Sequence, residues 1–101
     1  MAALPQDREP TQRSDRPRHA PGVEANEAHG RVVLVRPHDD GFQLLDELGT
    51  RIWELCDGQR TLDDVIAQIA ADSDQAPSAV AGDVREWIFE LRTEQLLRER
   101  A

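Results

Sequence analysis

The eighteen residues Leu45 to Leu62, LDELGTRIWELCDGQRTL, constrain the fold more than any other stretch, because they hold two helix starts and the turn between them. Asp46 is a residue type that accepts backbone N–H bonds at a helix start, and Leu48, Ile52 and Leu55, with Trp53 beside them, recur at helical spacing. Asp57-Gly58 ends that helix, since glycine accepts the left-handed conformation that helix ends commonly need. Thr61 with Asp64 reads as a capping box with a carboxylate in the usual Glu/Gln place, and opens a second helix through Leu62, Val65, Ile66 and Ile69. The pattern predicts helix, glycine turn, helix.

A third helix carries the strongest periodic signal. From near Ser78, Val80, Val84, Trp87, Ile88 and Leu91 fall within an arc of about 100°, a face that belongs in a core. Leu96 or Leu97 is expected to fold back onto it. One flank of the stripe carries Arg85 and Arg92 with Ala81, and the other carries Asp83, Glu86, Glu90 and Glu94. Phe89 sits opposite the stripe near both arginines, where it reads either as an unremarkable exposed aromatic or as part of a peptide-contact patch. Before the helices, Val23 to Glu27, Arg31 to Arg36 and Gly41 to Leu45 read as strands. His29-Gly30 and the segment Pro37 to Gly41 supply the turns of a three-stranded antiparallel meander. Such a sheet needs a partner layer, and the helices provide it. The expected class is α+β: a three-stranded antiparallel sheet followed by three helices.

At 101 residues the chain forms one small domain at most. Residues 1–21 combine four prolines with many charges and almost no large apolar groups, so they are expected to be a disordered tail, with the domain spanning 22–101. The formal net charge is −8. Residues 1–21 hold four Arg against three acids, so the remaining body carries one negative charge more, −9. Such a surface repels phosphate backbones and, with Glu86, Glu90 and Glu94 on the last helix, argues against nucleic acid as partner. No apolar run approaches the roughly 20 residues of a membrane span, and the Met1 region lacks the apolar core of a secretory signal. A cytoplasmic protein without a membrane partner is expected. The single cysteine, Cys56, ends an apolar stripe and reads as a buried, inert thiol. His19, His29 and His38 show no metal-ligand spacing, so neither a metal nor a cofactor is expected. The chain shows no set of nucleophile, base and orienter and no Gly-rich phosphate loop, which argues against an enzyme. Asp39-Asp40 and Asp63-Asp64 are paired acids, but turn and helix-start chemistry accounts for them.

The order of three strands, then Leu45-Asp46, Ile52-Trp53-Glu54-Leu55, Asp57-Gly58, Arg60-Thr61, Asp83-Val84, Trp87-Ile88 and Leu91 resembles the PqqD-like family from about Val23 to Leu97. These are small chaperones of ribosomally made peptides, also called precursor-peptide recognition elements. The resemblance implies a winged helix-turn-helix. It also implies a partner peptide whose leader adds as a strand beside the third strand, in the groove against the third helix, and a modifying enzyme, often a radical S-adenosylmethionine protein, that receives it. The matching strand is Phe42, Gln43, Leu44 and Leu45, and the matching helix segment is Asp83 to Arg92, with Arg85, Ile88, Phe89 and Arg92 as candidate contacts. The chain departs from the family pattern at Asp46, where Asn is more familiar, and at Gln95, where many relatives have Gly.

An exposed strand edge offers backbone donors and acceptors to any extended peptide, while neighbouring side chains select its sequence. Whichever of Phe42 and Leu44 points toward the helix is expected to hold apolar anchors. The Arg85–Arg92 flank is preferred as the groove, pairing with leader carboxylates, with the acidic flank as the other choice. The open edge is compatible with a monomer or a dimer. A winged-helix protein–protein adaptor and a DNA-binding regulator are the competing readings.

Overall fold

Paired positive backbone angles at His29 (φ 56°) and Gly30 (φ 78°) make the two-residue primed turn that matches the natural twist of a hairpin. The computed structural model describes residues 15–39 and 41–100. The turn joins β2 (Glu24–Ala28) to β3 (Arg31–Val35) in antiparallel register, with Glu24 opposite Val35 and Ala28 opposite Arg31. β4 (Phe42–Leu44) pairs with the other side of β3, giving the order β2-β3-β4 with β4 at an edge. Asp39 shapes the turn before β4 by accepting from the Gly41 N–H and from Arg36 Nε, each at 2.9 Å. The Arg36 bond, followed by that from Gly41, holds the Asp39 carboxyl below its ordinary range. The expected meander is present, its strands displaced by about a residue at their ends.

Helix starts follow the capping residues. Asp46 Oδ1 accepts from the Gly49 N–H at 2.7 Å and opens α1 (Glu47–Leu55). The helix stops at Cys56, and the turn behind it is closed by Asp57, whose carboxylate accepts from the Gln59 and Arg60 N–H groups, with Gly58 at φ 81°. The bond from Gln59 is the main reason that the Asp57 carboxyl sits below its usual range. Both bonds of the Thr61–Asp64 capping box are made at the start of α2 (Leu62–Ser73), at 3.1 and 3.0 Å. α3 (Pro77–Thr93) begins with a proline, whose missing N–H costs nothing in a first turn.

The core gathers Val32 and Leu34 from β3, Leu45, the apolar faces of all three helices, and Leu96 and Leu97. Both of those last leucines are buried, so the chain does fold back after α3. Trp87 is half-buried and packs at the margin, although its place in the stripe predicts full burial.

A second sheet was not expected. Arg16–His19 form β1, which pairs antiparallel with β5 (Leu97–Arg100), Arg16 opposite Arg100 and Arg18 opposite Arg98. The tail assignment is therefore corrected for residues 15–21, while residues 1–14 lie outside the described residues. Four local anchors account for the correction. Pro17 is buried, and its carbonyl accepts from the Gly58 N–H at 2.9 Å. The His19 ring stacks on Trp53 with centroids 3.5 Å apart, and its Nε2 lies 2.8 Å from the Trp53 carbonyl oxygen. The Asp15 carbonyl accepts from the Leu62 N–H at 3.0 Å. Arg92 Nη2 donates to both Asp15 carboxylate oxygens, at 2.8 and 2.9 Å.

Candidate functional site

Backbone pairing decides which residues of β4 face outward. The Gly41 carbonyl accepts from the Arg36 N–H and the Leu45 N–H donates to the Val32 carbonyl, both at 2.8 Å, while Gln43 stands opposite Leu34. Alternation along a strand then turns the N–H and C=O of Phe42 and Leu44 away from β3, toward the open edge. Among the described residues no strand pairs with that edge, because β1, the element added at the amino-terminal side, is engaged with β5.

The same register settles the side chains. Phe42 lies opposite Val35 and Leu44 opposite Val33, on the sheet face away from the helices, and they are 70% and 52% exposed. Being two positions apart they share a face, so the expectation that one of them points toward the helix is corrected: both point away. Gln43 is on the inner face and half-buried, and Leu45 is fully buried. Leu45 is thus a floor beneath the strand end rather than a surface for a ligand.

Two contacts fix α3 against the segments on either side of β4. The Trp87 indole lies across Gly49, so close that a Cβ there would sit 2.9 Å from Trp87 Cζ2. At the other end of the strand, Arg36 passes over Gly41 and donates through Nη1 to the Glu94 carboxylate at the end of α3. The start of β4 therefore lies toward Glu94, and the chain beyond its end lies toward Trp87. A helix advances about 100° per residue, which puts Asp83 and Glu90 next to Trp87 and Glu94 on that flank, with Glu86 further round.

The flank of α3 that bears these two contacts is the acidic one, and the packing of Trp87 on Gly49 and of Arg36 on Glu94 decides it. Arg92 is on the far flank, where it is paired with Asp15, and Arg85 is exposed on the same side. Phe89 is 70% exposed on the back of the helix. Ile88, 2% exposed, is a core residue and offers nothing to a ligand directly. Gly49, Arg36 and the marginal position of Trp87 were missed. A glycine in the first turn of a helix with a good cap was the available signal, since it marks a close approach by something bulky.

The other titratable groups do structural work. Burial pushes the Cys56 thiol up to about 12, outweighing the opposing influence of Arg92. Among the described residues no group of three His, Cys, Asp or Glu is placed to hold a metal ion, and no helix is long and apolar enough to cross a membrane.

Known proteins share this fold. The family described as coenzyme PQQ synthesis protein D (PqqD) matches residues 31–97. A PqqA binding protein from Rhizobium meliloti (strain 1021) is 31% identical over 80 residues, covering 77% of this chain and 80% of that protein. TbiB1, solved in complex with the TbiA(beta) leader peptide, superposes with a TM-score of 0.74 at 24% identity, covering 83% of this chain and 98% of its own. The PqqD truncation of Methylobacterium extorquens PqqCD, described as a stand-alone recognition element for ribosomally synthesised and post-translationally modified peptides, has a TM-score of 0.65 at 21% identity. It covers 81% of this chain and 87% of its own. The two structures share the fold of three-stranded sheet and three helices; the match over residues 31–97 and the identity to the Rhizobium protein make this chain a member of the PqqD family.

Proposed function

We propose that this chain is a non-catalytic chaperone that binds the leader of a ribosomally made precursor peptide as an added strand on β4 and presents it to a modifying enzyme. The observation that carries this reading is the outer edge of β4, unpaired among the described residues and flanked by exposed Phe42 and Leu44. A guest strand there pairs with the outward N–H and C=O groups of Phe42 and Leu44, which supplies affinity without regard to sequence. Its side chains alternate. Those on the outer face pack against Phe42 and Leu44, and those on the inner face meet Trp87 and the carboxylates of Asp83 and Glu90. Basic leader residues therefore replace the acidic ones expected opposite Arg85 and Arg92, each exposed pair contributing under about 1 kcal/mol. The name of the Rhizobium relative and the leader peptide bound to TbiB1 support peptide binding as the role of this fold.

The test is a titration of the full chain with candidate leader peptides, comparing two proline variants. Leu44→Pro removes an outward donor and leaves the bonds to β3 intact, so it should weaken leader binding at least about tenfold in a folded protein. Gln43→Pro removes a donor on the β3 side and should instead disrupt the sheet. Wild-type affinity in Leu44→Pro defeats strand addition at this edge.

A further inference from the structure

The flank of α3 that turns away from β4 opens on a feature of a different kind. In the β1–β5 ribbon Arg18 stands directly opposite Arg98, and Arg16 is two positions from Arg18, on the same face. Like charges directly opposite each other in a ladder oppose pairing, so this register costs the free protein stability. Asp57 stands opposite Arg18 on the other side of β1, but its carboxylate is engaged by Arg60; Arg16, Arg18 and Arg98 are all exposed, and none forms an ion pair with an acid among the described residues. Arg98 also lines a cavity of about 520 Å³ whose wall includes Arg92, His38 and Gln95, with Pro21 and Pro37 as its apolar part. No carboxylate side chain lines that cavity among the described residues, in a chain whose formal net charge is −8. Arg92 is already held by Asp15, so it sets the wall in place, and Arg98 and the ribbon arginines supply the attraction.

We infer that this cavity and the arginine face of the β1–β5 ribbon form a second binding site, which takes an acidic segment of a partner polypeptide. Guanidinium groups spaced along a ribbon match successive carboxylates of an extended acidic chain, and His38 and Gln95 add hydrogen-bonding groups at the mouth of the cavity. A polypeptide is favoured over nucleic acid because the acids that cover the rest of the body, including Asp83, Glu86 and Glu90, repel a long phosphate backbone but tolerate a short acidic stretch confined to one face. Trp87 and Arg92 are about 140° apart around α3, so this site and the β4 edge belong to different sides of the helix. The arginine face belongs to the other sheet from the β4 edge, and this site does not depend on the leader reading.

The experiment follows the arginine side-chain and backbone NMR signals of the full chain at low ionic strength during titration with a Glu-Gly repeat peptide. Inorganic pyrophosphate and a short duplex DNA are titrated in parallel. The Glu-Gly peptide should move the signals of Arg98, Arg18 and His38 and lose affinity as salt is raised. Arg98→Gln and Arg18→Gln should each weaken it about fivefold, the equivalent of one ion pair. Because each removes a like-charge contact, the free variants should melt no lower than the wild type, a readout that separates lost binding from lost folding. Leu44→Pro should leave this peptide's affinity unchanged, which keeps the outcome separate from that at the β4 edge. Unmoved Arg98 and His38 signals overturn the site, and tighter binding of pyrophosphate or DNA at the same residues overturns the assignment to a polypeptide.

Discussion

Gln95 occupies a left-handed backbone position (φ 64°) at the end of α3, where glycine would be unstrained. It permits the reversal that buries Leu96, whose N–H reaches the Leu91 carbonyl at 2.8 Å. Gln95→Gly relieves the strain and adds freedom to the unfolded chain, and the net effect should be a gain of about 0.5 kcal/mol, seen as a small rise in Tm. At Cys56 the expectation is chemical. With its thiol pushed to about 12 by burial, the residue should resist alkylation in the folded protein and react only after unfolding. An unfolded thiol ionises near its ordinary value of 9.0 while the folded one keeps its proton, so Cys56 contributes stability below that pH that is lost as pH rises toward 12. Denaturant melts across that range, with Cys56→Ala as reference, check the sign. Both residues could be read in part from the chain: Cys56 sits on an apolar stripe, and Gln95 stands where the resembled family often has Gly, although no local pattern shows that it takes a left-handed conformation.

Among the elements, the helices whose starts are written in adjacent residues were the most readable. Asp46, Thr61 and Asp64 make their bonds within three residues, so no tertiary knowledge is needed to place α1 and α2. The side of α3 that meets the sheet is a different matter, since the apolar stripe says only that a face is buried and both flanks border it equally. Trp87 sets the acidic flank against α1 through Gly49, a contact between helices that no periodicity contains. Because Trp87 is only half-covered, Trp87→Ala should cost about 2 kcal/mol, below the 3–5 typical of a buried tryptophan. Calorimetry of the variant distinguishes these values. The strand face was harder than it needed to be: Phe42 and Leu44, two apart, necessarily share a face, and only which face required the register with β3.

At the scale of the whole molecule the surprise is the ribbon that ties Arg16–His19 to Leu97–Arg100. Its amino-terminal strand reads as a polar, proline-bearing segment because its partner lies at the other end of the chain and its packing comes from His19 against Trp53 and Pro17 in the core. Composition is blind to partnerships of that length. Removing residues 1–19 should uncover Trp53 and Leu97 and lower the Tm by more than about 5 °C, whereas a solvated tail would be lost without effect. The pairing of Arg16 with Arg100 has a practical corollary. The polypeptide enters and leaves the domain at neighbouring points in one sheet, while the free edge belongs to the other. A fusion partner spliced directly onto Arg16 or onto Arg100 would thus be moored at a common spot, and the guest-accepting border could stay open to traffic from a tethered enzyme.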